Sequence, residues 1–312
     1  MSEQGLSTIH DKRVLFLLNP KANDGRAKKD WQRAAGEYDV LPKEPFNVTK
    51  ISDLTVFLKE QSPDIIAVIG GDGTINAVCN AIYSFAKKPL VTIFPMGHGN
   101  ALAYSFGVES VEKAVDVLVR QPHPIAIDVM KTSIPGYKIG VFNISVGFDA
   151  RVVHTHRNYR YIGLKSYMIS GVVSMIVHPE KEMTFTIDHS VTFQATASSL
   201  MIANLPVIGE NFLVSENAKA NDGVLDCTLF STKYDYFANL RMKGFRHPLY
   251  SELGKTYFKA KHIRIAGEPF IQVDGDPVTE KEDIEIEVVP GAIMFLRNDK
   301  KHIDQKYLPF IA

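Results

Sequence analysis

Three glycines within four residues, placed between an apolar run and a helical pattern, constrain this chain more than any other feature. Asp64-Ile65-Ile66-Ala67-Val68-Ile69 reads as a buried strand, and Gly70-Gly71-Asp72-Gly73-Thr74 ends it. Ile75, Val78, Cys79, Ile82 and Phe85 then recur at helical spacing, so a helix is expected just after Thr74. Glycines at a strand end let backbone N–H groups approach a ligand with no Cβ in the way. The free N–H groups and positive dipole end of the following helix face the same place. This is an anion-binding arrangement at the carboxyl end of a strand, where open α/β sheets place ligands. A carboxylate beside a phosphate repels it, so Asp72 fits there if Mg²⁺ lies between them or if it handles the proton of an attacking hydroxyl. The plainer alternative is a tight turn with Asp72 as a cap.

Two further turns repeat the pattern. Val14–Leu18 is a short apolar run stopped by Asn19-Pro20, and Lys21-Ala22-Asn23-Asp24-Gly25 follow. Asn23 and Gly25 are residue types that tolerate left-handed backbone. Leu90–Phe94 is a third strand, closed by Pro95, and Met96-Gly97-His98-Gly99-Asn100 lead into another helix. Arg26–Tyr38 has a helical composition, and Ser110 is a good N-cap for a helix carrying Val111, Ala114, Val115 and Leu118 on one face. Strands alternating with helices imply a mostly parallel sheet covered on both faces. Three turns after three strands of one sheet converge on one edge. None is a Walker A loop or a G-x-G-x-x-G, so a nucleotide reading rests on the set.

Near Asp128 the texture changes to short β-like runs: Tyr137–Ile144, Phe185–Ile187 and Ile284-Glu285-Ile286-Glu287-Val288, whose period-two alternation puts the glutamates in solvent. Helical interruptions are expected over 163–177 and 232–243. The fold class is therefore α/β plus all-β: a Rossmann-like parallel domain over 12–127, then an antiparallel β-sandwich over 128–296. Residues 297–312 form a tail expected to pack back on the first domain. A length of 312 residues suits two domains of roughly 150 each. With 35 Lys+Arg against 35 Asp+Glu there is no global field to gather nucleic acid, so an anion site must be local. Cys79 and Cys227 are unaccompanied and read as reduced core residues of a cytoplasmic protein. Met1–Lys12 lacks the apolar centre of a signal peptide, and the nearly apolar stretch 167–177 is short of the ~20 residues of a spanning helix.

In order along the chain, these blocks resemble the diacylglycerol kinase catalytic-domain superfamily of lipid kinases, which includes bacterial diacylglycerol kinases and the sphingosine and ceramide kinases. Asn19-Pro20 matches its opening loop, Gly70–Thr74 its Gly-Gly-Asp-Gly-Thr signature, and 95–103 its Pro-x-Gly-Thr/Ser-x-Asn turn. Asn143 with Gly147-Phe148-Asp149-Ala150 matches a further block, Asn221–Asp226 resembles Asp-Asp-Gly-x-Leu-Asp, and Asp274-Gly275-Asp276 resembles the late Asp-Gly-Glu. The resemblance implies a lipid kinase that uses ATP and Mg²⁺ to phosphorylate a primary hydroxyl of diacylglycerol or a sphingoid-type lipid. It places Asn19, Pro20, Lys21, Ala22, Asn23, Gly70–Thr74, Gly97, His98, Gly99 and Asn100 around the nucleotide, with Thr49 and Asp276 as further contacts. Asp72 would organise Mg²⁺ and phosphate or take part in proton transfer, and Asp274 would be the base for the lipid hydroxyl. From the residues alone, Asp274-Gly275-Asp276 is equally a hairpin turn. Asp222, with the backbone carbonyls of Lys219 and Val224, would bind a structural Mg²⁺; its alternative is also a turn.

His98 stands where the family has Thr or Ser and puts an imidazole in place of a hydroxyl; Asn23 replaces a glycine, and Asp276 is a methylene shorter than Glu. Arg151, His154, His156, Arg157, Arg160 and Lys165, interleaved with Tyr159, Tyr161 and Tyr167, precede apolar Met168–Val177. That order fits a segment lying at the inner membrane face, from which a lipid is drawn, or a solvated loop followed by a core-packed helix. His154 and His156, lacking Cys or carboxylate company, read as surface residues rather than metal ligands. A homodimer is compatible with the sequence. Two other functions share these features: an NAD kinase, which has Gly-Gly-Asp-Gly-Thr but needs an Asn-Glu pair that is not seen after Asn76 and Asn80, and a lipid- or nucleotide-binding regulator without turnover.

Overall fold

The computed structural model describes residues 6–121, 124–159, 165–208, 212–213, 215, 217–239, 241–242, 254–267, 270–278 and 283–298. The chain forms two compact units, Met1–Ile127 with Gly291–Ala312, and Asp128–Pro290. Its exit from the second unit falls inside a continuous strand, where the sequence texture does not change, and so ahead of the boundary at 296. Of the tail, 299–312 lie outside the described residues. Just before it Leu296 N–H donates to Val91 O (2.8 Å), and within it Asn298 N–H donates to Phe106 O (2.9 Å).

The first unit runs β1 (Leu6–Ile9), β2 (Lys12–Leu18), α1 (Ala27–Glu37), β3 (Phe46–Asn47), α2 (Leu54–Gln61), β4 (Ile65–Gly70), α3 (Asp72–Ile82), β5 (Leu90–Pro95), α4 (Ala101–Ser105) and α5 (Val111–Arg120). Strands β2, β4 and β5 are parallel neighbours and bury nearly every side chain, which is why they read as unbroken apolar runs. Their register pairs Leu18 with Ile69 and Gly70 with Pro95, so the three strands end level with one another. Helix α1 closes one face through Trp31, which lies 5.7 Å from Phe16 and 5.4 Å from Phe94 between ring centroids. Ser110 caps α5 as expected, its Oγ accepting the Lys113 N–H at 3.2 Å. Helix α2 is capped by Asp53, whose side chain accepts the Val56 N–H. Helix α3 begins earlier than expected. Gly71 is its extended N-cap, and the N–H groups of Thr74 and Ile75 both return to Gly71 O. The second half of the glycine signature is therefore the first turn of the helix.

Within β6 (Ile125–Thr132) the chain enters the second unit. There follow β7 (Ile139–Gly140), β8 (Asn143–Gly147), α6 (Phe148–Tyr159), α7 (Lys165–Val177), β9 (Lys181–Ile187), β10 (Val191–Ala197), β11 (Ser199–Ala203), β12 (Val207–Ile208), β13 (Phe212–Leu213), β14 (Leu225–Phe230), α8 (Lys233–Asn239), β15 (Arg241–Met242), β16 (Lys255–Ala260), β17 (His262–Ala266), β18 (Ile271–Val273), β19 (Asp276–Val278) and β20 (Asp283–Phe295). One antiparallel sheet has the order β16-β14-β11-β8-β18-β19. A second layer contains β10, β9, β17 and the start of β20. Ile144, Val146, Leu200 and Ile202 of the first meet Phe185, Ile263, Ile265, Ile284 and Ile286 of the second in one core. This is the expected sandwich, and Glu285 and Glu287 point to solvent as their alternation requires. Three details differ from the sequence reading. The 137–144 run breaks at Val141-Phe142, whose amides turn to a side chain described below. Helix α6 replaces a loop, and the last expected helix stops at Asn239 because Arg241–Met242 pairs with β13.

Candidate functional site

The level strand ends of the first unit bring the three turns together. Asn19 does most of the joining. Its N–H donates to Ile69 O (3.0 Å), its Oδ1 accepts the Lys21 N–H (3.0 Å), and its Nδ2 donates to Thr74 Oγ1 (3.0 Å). Met96 N–H donates to Gly70 O at 3.0 Å on the other side. Asn23 and Asp24 have φ of 52° and 54°, followed by Gly25 at 83°, so the Asn that replaces a family glycine takes a glycine-like backbone. Pro20 and Ala22 lie in the bend these residues make.

Between the second and third turns the approach is closer still. A Cβ on Gly97 would stand 2.3 Å from Gly71 Cα, and one on Gly71 would stand 3.0 Å from Gly97 Cα. A Cβ on Gly70 would strike Thr74 Oγ1 at 2.7 Å. Gly73 is the exception: a Cβ there meets nothing within 4 Å. The amides of Asp72 and Gly73 precede the first bonds of α3, so the helix itself does not use them. Asn100, at φ 49°, closes the third turn on itself, accepting the Gly97 N–H (3.0 Å) and donating to Gly97 O (2.9 Å). His98, half-exposed beside Gly99, has Nε2 3.0 Å from Asp24 Oδ2 and so ties the third turn to the first.

Asp72 reaches across to the third turn. Its Oδ2 accepts the Ala101 N–H (3.1 Å) and its Oδ1 that of Leu102 (3.4 Å), so it caps α4 across the turn. Burial pushes its carboxyl above the ordinary range, and the two amides offset that in part. Asp72 is thus a cap, as the plainer alternative had it, but of α4 and not of its own turn, where Gly71 is the N-cap. Thr49 lies beyond β3, next to β2 at the same margin, with its hydroxyl given to Asn47 Oδ1 at 2.8 Å.

In the second unit, Asp274 (φ 52°) and Gly275 (φ 85°) form the two-residue turn of the β18–β19 hairpin, where Val273 pairs with Asp276. Here the turn reading and the special carboxylate coincide. Asp274 Oδ2 accepts the Val141 N–H (2.6 Å), and Oδ1 accepts those of Phe142 (2.7 Å) and Asn143 (3.0 Å). These donors compensate its charge and fix its orientation. Behind the turn lies a buried polar network that the motifs did not reveal. Gln272 Oε1 accepts the Gly275 N–H (2.7 Å), and Gln272 Nε2 donates to Ser145 Oγ (2.9 Å). Ser145 and Tyr236 hydroxyls both donate to Asp149. Burial raises both the carboxyl of Asp149 and the phenol of Tyr236. No spacing marks Ser145, Gln272 or Tyr236; the only signal was Asp149 inside a family block. Asp276 is exposed on the strand after the turn.

Asp222 also departs from expectation. Its Oδ2 accepts from Lys259 Nζ at 2.9 Å, and the loop that holds it is fixed by Gly223 N–H on Asp128 Oδ2 (2.7 Å). Among the described residues no three His, Cys, Asp or Glu side chains group as metal ligands, and an ammonium already stands against Asp222. The Asp222 oxygen that the expected ion would use is thus already paired with an ammonium, and one acidic side chain with the carbonyls of Lys219 and Val224 is a sparse set for Mg²⁺.

His154 is not a simple surface residue: Nε2 lies 3.0 Å from Ile271 O and the ring packs edge-on to Phe270, with Arg151 4.5 Å above that ring. Residues 160–164 and the side chains of 157–168 lie outside the described residues. Helix α7 turns Ser170 and Ser174 inward and leaves Val172 (59% exposed) and Ile176 (78%) outside. No described helix is long and apolar enough to cross a membrane.

Comparison with known proteins matches residues 13–132 to the diacylglycerol kinase catalytic domain and 142–297 to the YegS C-terminal NAD kinase beta sandwich-like domain. A Staphylococcus haemolyticus protein described as a "putative lipid kinase" is 24% identical over 75% of this chain and 76% of its own. One from Staphylococcus epidermidis with the same description is 25% identical over the same shares. A Bacillus anthracis structure described as a "putative diacylglycerol kinase" superposes with TM-score 0.69 at 21% identity, over 91% of this chain and 97% of that one. An NAD kinase from Archaeoglobus fulgidus in complex with ATP superposes at 0.51 and 14%, over 96% and 100%. At these identities the structures show the fold.

Proposed function

The chain belongs to the diacylglycerol kinase catalytic-domain superfamily, and from that premise we propose that it transfers the γ-phosphoryl group of ATP to a primary hydroxyl of diacylglycerol or a sphingoid-type lipid. The observation that carries this reading is the margin at which Asn19, Gly71 and Gly97 bring three turns into contact. Phosphoryl transfer asks mainly for positioning and charge stabilisation, and an amide-rich margin provides both. The residues fit a nucleotide phosphate at one identifiable point: the open space where Gly73 lacks a Cβ, beside the amides that begin α3. Mg-ATP, when bound, supplies the phosphoryl group and the neutralising charge.

This chain's residues would do the rest. The amides of Asp72 and Gly73, with the Asn19–Asn23 bend and the Gly97–Asn100 turn, hold the phosphates. Asp72 keeps the second and third turns at fixed spacing through Ala101 and Leu102. Asp274 takes the proton from the lipid hydroxyl at a carboxylate oxygen that three amides keep oriented. We place the protein at the cytoplasmic face of a membrane, with the outward apolar residues of α7 against the lipid surface.

The test is a panel. Purified protein with Mg-ATP is offered diacylglycerol, monoacylglycerol, sphingosine, ceramide and NAD, and transferred phosphate is followed. Label in a lipid that disappears in Asp274→Asn supports the reading. Label in NAD alone makes the protein an NAD kinase, and ATP binding without product makes it a regulator.

A further inference from the structure

We infer that Lys259 is a built-in counter-ion that occupies, with its ammonium group, the place where the family resemblance puts a structural divalent cation beside Asp222. Two carboxylates meet here. Asp222 Oδ2 lies 2.9 Å from Lys259 Nζ, and Asp226 Oδ1 lies 3.7 Å from it. The arrangement is dictated by the sheet: Asp226 on β14 and Lys259 on β16 are directly opposed cross-strand partners. Asp222 is held near them by the loop that Gly223 (φ 74°) and Asp128 close.

A positive charge is favoured at this point. The Asp226 side chain is wholly buried, Tyr257 donates its hydroxyl to one carboxylate oxygen, and the other oxygen is buried without a hydrogen-bond partner. Burial raises the Asp226 carboxyl, while the Tyr257 hydroxyl and the Lys259 ammonium favour its charged form. The ammonium is that charge, and its bond to Asp222 is the main reason the Lys259 pKa is raised. A magnesium ion would need near-octahedral oxygen ligands at about 2.1 Å and would be repelled by the resident ammonium. A tethered lysine needs neither free metal nor dehydration, and the second unit keeps its fold when divalent ions are scarce. This inference stands whether or not the protein is a lipid kinase, because it concerns nucleotide-free folding of the second unit.

The experiment uses the full chain without nucleotide. Thermal unfolding is recorded in EDTA, in millimolar MgCl₂ and in millimolar CaCl₂, for wild type, Lys259→Met, Asp222→Asn and the double variant. Wild type is expected to unfold at one temperature in all three. Lys259→Met, which keeps the aliphatic stem, is expected to lose roughly 5 °C or more in EDTA. It should regain part of that with a divalent ion, and the double variant should not. A wild-type midpoint that falls in EDTA, with the effect abolished in Asp222→Asn, overturns the inference. So does a Lys259→Met protein that no divalent ion stabilises. Should Lys259→Met not fold, Mn²⁺ counted by electron paramagnetic resonance on wild type and Asp222→Asn decides. Equal counts support the built-in cation, and one extra ion on wild type refutes it.

Discussion

Gly97→Ala and Gly73→Ala belong to the same glycine-rich margin, yet the structure predicts opposite outcomes for them. At Gly97 the new Cβ would stand 2.3 Å from Gly71 Cα and 2.9 Å from both Gly71 N and Asn100 Oδ1. Two of these neighbours are backbone, so no rotamer change relieves the clash, and the turns must part by roughly 1 Å to restore ordinary contact. Forcing a methyl into packed surroundings costs about 1–3 kcal/mol, which for a domain of this size lowers Tm by roughly 2–4 °C per kcal/mol. The same displacement would move the Asn100 turn relative to α3, and a 1 Å misplacement of a positioning group can cost about 100-fold in rate. At Gly73 the Cβ enters open space within the first turn of a helix, so the fold should be unaffected or gain about 0.5–1 kcal/mol. If that space receives phosphate, however, ATP affinity must fall. Differential scanning calorimetry and titration with a fluorescent ATP analogue measure the two effects separately. A Gly97→Ala protein with wild-type Tm would refute the close-packed margin. A Gly73→Ala protein that binds ATP as tightly as wild type would refute the phosphate cradle.

Asp274→Asn should lower turnover about 10²–10⁴-fold while leaving ATP affinity unchanged, as steady-state kinetics and nucleotide titration would show. Its three amide donors would also lose a charged acceptor, lowering Tm by several degrees. Ile176→Asp, at a position 78% exposed, should keep wild-type Tm but sediment less with vesicles rich in anionic lipid; unchanged sedimentation would remove α7 from the membrane contact. Burial raises the Asp149 carboxyl above its ordinary value of 3.8, so its contribution to stability is full below about pH 4 and declines as pH rises through the higher folded value. Asp149→Asn should flatten that part of the urea-midpoint profile, and an unaltered slope would count against the assignment.

The first unit was legible because its central strands β2, β4 and β5 are buried on both faces. Val14–Leu18, Ile65–Ile69 and Leu90–Phe94 are apolar throughout, and glycine or proline marks each end. The second unit's strands alternate, and Ile284–Val288 shows it; but the carboxylates at its turns were ambiguous, since Asp-Gly signals a hairpin whatever else the Asp does. For Asp72 the sequence allowed a cap or a phosphate-side group. Only the fold shows that Asp72 accepts the amides of Ala101 and Leu102, some thirty residues away in the chain. Gln272, Ser145 and Tyr236 carry no local pattern, because a buried hydrogen-bond network is defined by what meets across strands.

By itself the sequence determined the alternation of the three central strands with helices, the change of fold class near Asp128, the three glycine-bearing turns and the family they resemble. Periodicity and backbone tolerance are local properties, readable within a dozen residues. The tertiary structure alone decided that Gly71 and Gly97 touch, that Asp72 caps a distant helix, that Asp274 is held by three amides and that Asp222 is neutralised by Lys259. Each of these is a contact between segments far apart in the chain, set by strand register, and side-chain type does not encode register over such separations.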